Sequence, residues 1–345
     1  MPPGGLALFL SFSDTVVAVM ARYVVPTLPR EEDVKVGDIL AGKYRAERVM
    51  GAGGMGVVVE VTHVESGGVF ALKYLRPSVA RDPSAAARFL REAKAGGRIR
   101  NPHVVAISDV GELSSGSPFL VMEYLEGTSL DKRLVAGTRL PLSEACDLAM
   151  QVAEGLAAAH AMGVIHRDIK PANLFLTLGP DGAEVLKIVD FGISKILDPD
   201  SPSAQHLTRT QTSIGSPLYM SPEQMRSART ADFRTDQWSL GVVLYRMATG
   251  HLPFDGQSLP RLCVQVLEAS FMPAAMRCPD LPTEFAAAVE RCLRRLPNER
   301  YADMAELADA LVPFATSESR ARADRCRALL AASTPDTPAP AVEPA

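Results

Sequence analysis

Short runs of valine and other β-branched residues mark the early part of the chain, and apolar positions at helical spacing mark most of the rest. Between Tyr44 and about His63, valine-rich runs surround a glycine cluster. Ser66-Gly67-Gly68 signals a turn, and Val69 to Leu75 follows as another strand, so this stretch reads as antiparallel hairpins. Pro83 and Ser84 open a helix that carries Phe89, Leu90 and Ala93 on one face. Residues 104–113 and 118–125 read as two further strands. Ser143 is a plausible N-cap for a helix in which Leu148, Val152, Leu156 and Ala159 repeat until Gly163 ends it. Asp236 begins a second apolar helix closed by Gly250, and two more fit 283–296 and 303–312. A small β-rich half therefore precedes a larger helical half, joined near Glu126-Gly127. Two lobes make a cleft, and clefts between lobes hold ligands.

The two ends are different in kind. Residues 6–25 are apolar, but Asp14 sits near their middle, no basic stretch precedes them, and no small-residue cleavage pattern follows. A leader, an interfacial segment or a start placed too early, with Met20 available, is a better reading than a spanning helix, and residues 26–38 read as a polar, proline-containing linker. From Thr316 an Arg/Ala-rich piece with helical character runs into a Pro/Ala/Thr tail that cannot bury a core. The expected division is a leader over 1–43, a β-rich lobe over 44–125, a helical lobe over 126–314 and a disordered tail over 315–345.

Composition narrows the function classes. The chain has 345 residues, 47% of them apolar, enough for a core that needs no disulfide or metal staple. Its 36 Lys and Arg against 40 Asp and Glu argue against nonspecific nucleic-acid binding, which calls for a basic excess. Cys146, Cys263, Cys278, Cys292 and Cys326 form no CxxC pair and are odd in number, which points to buried inert thiols in a reducing cytoplasm.

Three motifs carry chemistry. Gly51, Gly53 and Gly56, followed by Val58, form a G-x-G-x-x-G-x-V loop flanked by strands, where absent Cβ atoms let backbone N–H groups approach phosphate oxygens. No helix opens there, as a Rossmann loop would require. Lys73, flanked by apolar residues on the following strand, can point into the cleft, with Glu92 the candidate carboxylate to hold it. His166-Arg167-Asp168-Ile169-Lys170-Pro171-Ala172-Asn173 joins a base, a cation and a metal-binding amide oxygen within eight positions. Asp190-Phe191-Gly192 then ends an apolar strand with a carboxylate suited to a hard divalent cation.

Taken in order, these motifs resemble those of a bacterial Hanks-type (eukaryotic-like) serine/threonine protein kinase over about residues 44–314. The resemblance implies an α+β, bilobal protein kinase fold, with one helix in a small β-rich N-lobe and a larger, mainly helical C-lobe. It implies ATP- and Mg²⁺-dependent transfer of the γ-phosphoryl group to Ser/Thr hydroxyls of proteins. The loop Met50-Gly51-Ala52-Gly53-Gly54-Met55-Gly56-Val57-Val58 would cover the phosphates, and Lys73 would grip them while paired to Glu92. Asp168 would take the hydroxyl proton, Lys170 would steady the phosphoryl in flight, and Asn173 and Asp190 would hold Mg²⁺. Met122 would be the gatekeeper, with the backbone of Glu123 and Leu125 meeting the purine, and His166 and Phe191 would be packing residues.

By the same resemblance Glu223 would pair with Arg300, and Asp236 would anchor the catalytic loop. Thr208 and Thr210 would be the autophosphorylation sites of an activation segment, with Thr212 and Ser213 as further acceptors, and self-association could serve transfer between copies. Ser221 replaces the usual alanine, Ser216 the usual threonine, and Gly96-Gly97 weakens the end of the Glu92 helix. A silent pseudokinase scaffold and a small-metabolite kinase are the alternative readings. Neither nucleic acid nor membrane is an expected partner, apart from contact through residues 6–25.

Overall fold

In the computed structural model, which describes residues 34–191, 217–227, 231–256 and 258–332, the hairpins expected early in the chain form a six-stranded antiparallel sheet. Its strands are β1 (Ile39–Leu40), β2 (Tyr44–Ala52), β3 (Gly56–His63), β4 (Val69–Leu75), β5 (Ile107–Glu112) and β6 (Pro118–Glu123), in the order β1-β2-β3-β4-β6-β5. Val57, Val59 and Val61 are buried while their neighbours are not, the period of two that a half-buried strand requires. Lys73 is opposite Val58 on one side and Leu120 on the other, which fixes it in the middle of the sheet. The sheet starts before the boundary expected at Tyr44, since Ile39 pairs with Arg45 and Leu40 with Tyr44.

Two helices stand between β4 and β5: α1 (Pro77–Ala80) and α2 (Pro83–Gly96). Pro83 opens α2 as expected, and Asp82 caps it, its carboxylate accepting from Ser84 N at 2.9 Å. Ala85, Phe89 and Ala93 bury one face of α2 against Leu75 and Leu120 of the sheet, and Leu90 is only partly covered.

The helical half starts with β7 (Gly127–Ser129) and α3 (Leu130–Arg133), followed by α4 (Leu142–Ala161). β7 joins β8 (Leu174–Leu178) and β9 (Glu184–Ile188) in a second, three-stranded sheet. Then come α5 (Pro222–Arg226), α6 (Arg234–Thr249), α7 (Leu259–Glu268), α8 (Ala274–Arg277), α9 (Thr283–Cys292), α10 (Met304–Leu311) and α11 (Ser317–Ala331). Ser143 is not the cap of α4: the helix starts at Leu142, with Pro141 in the cap position and no side-chain cap. Both α4 and α6 are buried on nearly every side and pack on each other as the centre of the core. Gly241 makes the contact of α6 with α9 possible, because a Cβ there would lie 2.5 Å from Cys292 Cβ. Asp303 caps α10, accepting from Ala305 N at 2.8 Å and Glu306 N at 2.9 Å.

The expectation of disorder from residue 315 is corrected over α11. Ser319, Ala323 and Cys326 bury a face of α11 against α4, and Asp147 accepts from Thr316 N at 2.9 Å. Arg325 forks onto the buried Glu154 of α4 at 2.9 and 2.8 Å, supplying a counter-charge that a carboxylate 2% exposed requires. Sequence patterning gave this piece helical character but not its packing on α4, because its composition is polar and only a narrow stripe is buried. All five cysteines are free; Cys146, Cys292 and Cys326 are buried, and burial pushes each of their thiols up to about 12. Among the described residues no helix is long and apolar enough to cross a membrane; residues 6–25, with Asp14, lie outside them.

Candidate active site

The glycine loop joins β2 to β3 as a tight hairpin. Gly53 N donates to Gly56 O at 2.9 Å, and Arg76 holds the turn through Nε to Gly53 O at 2.9 Å. Of Gly51, Gly53 and Gly56, only Gly56 is demanded by the sheet itself, since a Cβ there would come within 2.5 Å of Tyr74 O. At Gly51 nothing lies within 4 Å, and at Gly53 the nearest atom is 3.9 Å away. Packing therefore does not account for those two glycines, whereas close approach by a ligand would.

Across the cleft, the stretch from His166 to Asn173 is held from beneath. Asp236, fully buried at the start of α6, accepts from His166 N at 2.9 Å, Arg167 N at 2.8 Å and His160 Nε2 at 2.9 Å. Burial opposes its charge, but the His160 and His166 contacts outweigh that and hold its carboxyl below the ordinary value. Arg167 adopts a left-handed φ of 64°. Asp236 on its N–H and Gln224 Nε2 on its carbonyl, at 2.9 Å, hold it in that strained conformation. His166 is buried, bonded to Val189 O at 3.0 Å and edge-on to Phe191 at 4.7 Å, as packing residues would be.

Above this base, Asp168 Oδ2 takes Lys170 Nζ at 2.8 Å and Asn173 Nδ2 at 2.9 Å, and Asn173 Nδ2 also reaches Asp168 O at 2.8 Å. The amide nitrogen of Asn173 is thereby committed, so its oxygen is the atom it can offer to a cation. Asp190, at the end of the strand begun by β9, has a φ of 63° that turns its carboxylate toward Lys73, 2.7 Å away. Burial opposes the charge of Asp190, and the Lys73 ammonium beside it overcomes this and lowers its carboxyl.

The expected Lys73–Glu92 pair is not formed: Asp190 takes the ammonium instead, and Glu92 Oε2 is buried without a hydrogen-bond partner. Burial pushes the Glu92 carboxyl up to about 7, despite the positive charges of Arg91, Arg167 and Arg88. A raised acid favours folding while it stays protonated, and that advantage is lost as pH climbs from the ordinary 4.5 through about 7. Glu92→Gln, which mimics the protonated form, is expected to stabilise the nucleotide-free protein by about 1–2 kcal/mol at about pH 8, after discounting for partial exposure. The gain should fade toward about pH 4. Thermal unfolding at both pH values checks it; a pH-independent difference would contradict the assignment.

Further support comes from α5. Ser221 caps this helix in a reciprocal box with Gln224, which gives the departure from alanine a structural role. Glu223 and Arg300 form the expected pair, with bonds of 2.7 and 2.9 Å. Gly97 ends α2 as its C-cap, and a Cβ at Gly96 would press on Ile107 at 3.3 Å, so the two glycines let the helix end close against the sheet. Thr208, Thr210, Thr212, Ser213, Ser216 and Gly192 lie outside the described residues. Sequence reasoning missed the side chains of Glu123 and Lys187, which meet at 2.7 Å. Neither stands in a motif, and only the fold brings β6 and β9 together.

Comparison with known proteins gives a consistent picture. A family model described as the protein kinase domain matches residues 44–311. The serine/threonine-protein kinase pkn3 of Myxococcus xanthus is 36% identical, over 81% of this chain and 50% of its own length. Pkn2 of the same organism is 38% identical over 79% of this chain and 32% of its own. The chain thus spans about half, or less, of the length of these curated relatives. The crystal structure of the PknI kinase domain of Mycobacterium tuberculosis superposes with a TM-score of 0.63 at 28% identity, covering 81% of this chain and 99% of that one.

Proposed function

The chain belongs to the protein kinase family, and from that premise we propose that it transfers the γ-phosphoryl group of ATP to Ser and Thr hydroxyls of proteins in bacterial signalling. The observation that carries the reading is the joint presence of two charged groupings. One is Asp168 with Lys170 and Asn173 on its carboxylate; the other is Lys73 with Asp190 beside the glycine hairpin. ATP would lie with its base against the backbone of Glu123 and Leu125 and its phosphates under Met50 to Val58.

Asn173 and Asp190 offer the hard oxygen donors that Mg²⁺ prefers, so the residues fit the ion the family implies. When bound, the ion would neutralise phosphate charge. Asp168 would accept the proton of the acceptor hydroxyl as its oxygen bonds to the γ-phosphorus and the bond to the β-phosphate oxygen breaks, releasing ADP. Lys170, already on Asp168, would balance charge on the transferring group. Lys73 would exchange Asp190 for the α- and β-phosphates and take Glu92 as its partner. Arg167, whose Nε is buried without a hydrogen-bond partner among the described residues, would receive a phosphate on Thr208 or Thr210. Autophosphorylation could then proceed between associated copies, in a cytoplasm that supplies ATP and keeps thiols reduced.

The purified chain, incubated with γ-labelled ATP, Mg²⁺ and a generic basic protein, should label that protein on Ser or Thr and itself on Thr208 or Thr210. Nucleotide binding without any transfer would indicate a scaffold, and label found only on small metabolites would indicate the other alternative. Nothing in the site favours either, since Lys73, Asp168, Asn173 and Asp190 are all present.

A further inference from the structure

An ion pair joins the segment assigned to the base with the strand that leads to Asp190. Glu123 closes β6, and a single carboxylate oxygen, Oε1, accepts from Lys187 Nζ at 2.7 Å and from Ala106 N at 2.8 Å. The N–H of Glu123 in turn donates to Ala106 O at 2.9 Å, so both backbone polar groups of Ala106 are taken by this one residue. Lys187 stands on β9, just ahead of Asp190 in sequence. The same strand is fastened to the stretch that ends at Ala106: Ile188 N donates to His103 O at 2.9 Å, and Val105 N donates to Ile188 O at 3.0 Å. The side chains of Lys187 and Glu123 are 17% and 31% exposed, so solvent screens their attraction only in part. Two backbone bonds therefore hold β9 to residues 103–105, and the ion pair ties it to Glu123, which is itself bonded to Ala106.

We propose that the Glu123–Lys187 pair sets the span between the base-contacting segment and Asp190, making both side chains positioning residues for nucleoside triphosphate binding. The proposal rests on the kinase reading of the cleft. A nucleoside triphosphate must meet the backbone of Glu123 and Leu125 at one end and the surroundings of Asp190 at the other. With the span fixed in advance, docking of one end delivers the other at high effective concentration, and no ordering cost falls on the protein at that moment. A ligand that touches one end alone gains nothing from the span. Neither side chain needs to touch the nucleotide for this effect.

That asymmetry gives the test. Binding of a non-hydrolysable ATP analogue with Mg²⁺, and of adenosine, is measured for the full chain and its variants. Lys187→Met should weaken the ATP analogue about threefold to tenfold, the scale for residues coupled in one network, and change adenosine by less than about twofold. Lys187→Arg, which keeps the charge, should restore most of the loss. Glu123→Gln keeps an acceptor for Ala106 N–H but removes the charge, and should show the same selective loss. The double variant should be no weaker than the weaker single. Equal losses for both ligands, no loss for either, or additive losses in the double would overturn the proposal. If Lys187→Met does not fold, Glu123→Gln carries the same comparison. A wild-type chain that binds no ATP analogue would instead sink the nucleotide reading, and this proposal with it.

Discussion

Asp168→Asn is expected to lower kcat about 10²–10⁴-fold, the range a positioned general base contributes, while ATP affinity stays within about threefold. Asp168 is 8% exposed, and its Oδ2 receives both Lys170 and Asn173. An asparagine preserves the shape but cannot accept the hydroxyl proton, and its amide must turn an oxygen toward the two donors already there. Those contacts can survive in part, so the loop fixed by Asp236 should keep its place. Binding groups assigned to ATP stand elsewhere, on the glycine hairpin, on β4 and at the end of β6 and just beyond it. Steady-state transfer to a peptide and a separate nucleotide titration distinguish the two parameters. A kcat within about fivefold of wild type would remove Asp168 from the chemistry; a parallel collapse of nucleotide binding would mean that the substitution disturbed the cleft.

Arg300→Met should destabilise the helical half by about 3–5 kcal/mol, the cost of stranding one partner of a buried ion pair. The Arg300 side chain is 0% exposed and Glu223 10%. The guanidinium forks onto both Glu223 oxygens, donates to Arg234 O and Arg294 O at 2.9 Å, and lies over the Trp238 ring at 5.1 Å. Methionine fills some of the volume but leaves Glu223 without its counter-charge and two carbonyls without donors. Burial raises the Glu223 carboxyl, and Arg300 more than reverses this and holds it below the ordinary value. Its stabilisation is thus present above about pH 4.5 and disappears as pH falls through the lowered value. Urea unfolding at about pH 7 and near pH 4 should show a large difference that narrows on acidification. Adding Glu223→Gln to Arg300→Met should recover part of the loss, because the stranded charge is gone. An Arg300→Met variant within about 1 kcal/mol of wild type at about pH 7 would show that the pair is replaceable by solvent.

These two cases differ in how far ahead of the structure they could be seen. Asp168 stands in a run whose residue types declare their chemistry, and the Glu223–Arg300 pair followed from a family pattern although the partners are 77 positions apart. Glu154 and Arg325, 171 positions apart and outside every motif, were invisible until α11 was seen on α4. The partner that Lys73 has in this structure was not foreseen, for a related reason. A sequence shows that a buried lysine needs a carboxylate, but Asp190 and Glu92 both qualify, and only the packed structure shows that Asp190 stands 2.7 Å from the ammonium.

The main strands and helices and the chemical inventory were legible in the chain's own pattern. The two-residue period of Val57, Val59 and Val61, the helical repeat from Leu148 to Ala159, and the order of the glycine, Asp168 and Asp190 motifs are local, and local patterns survive in one dimension. Only the tertiary structure decided which charges meet: Lys73 with Asp190, Glu123 with Lys187, and Glu154 with Arg325. Electrostatic partners are chosen by distance and burial, and both arise only when strands and helices remote in sequence are packed against each other.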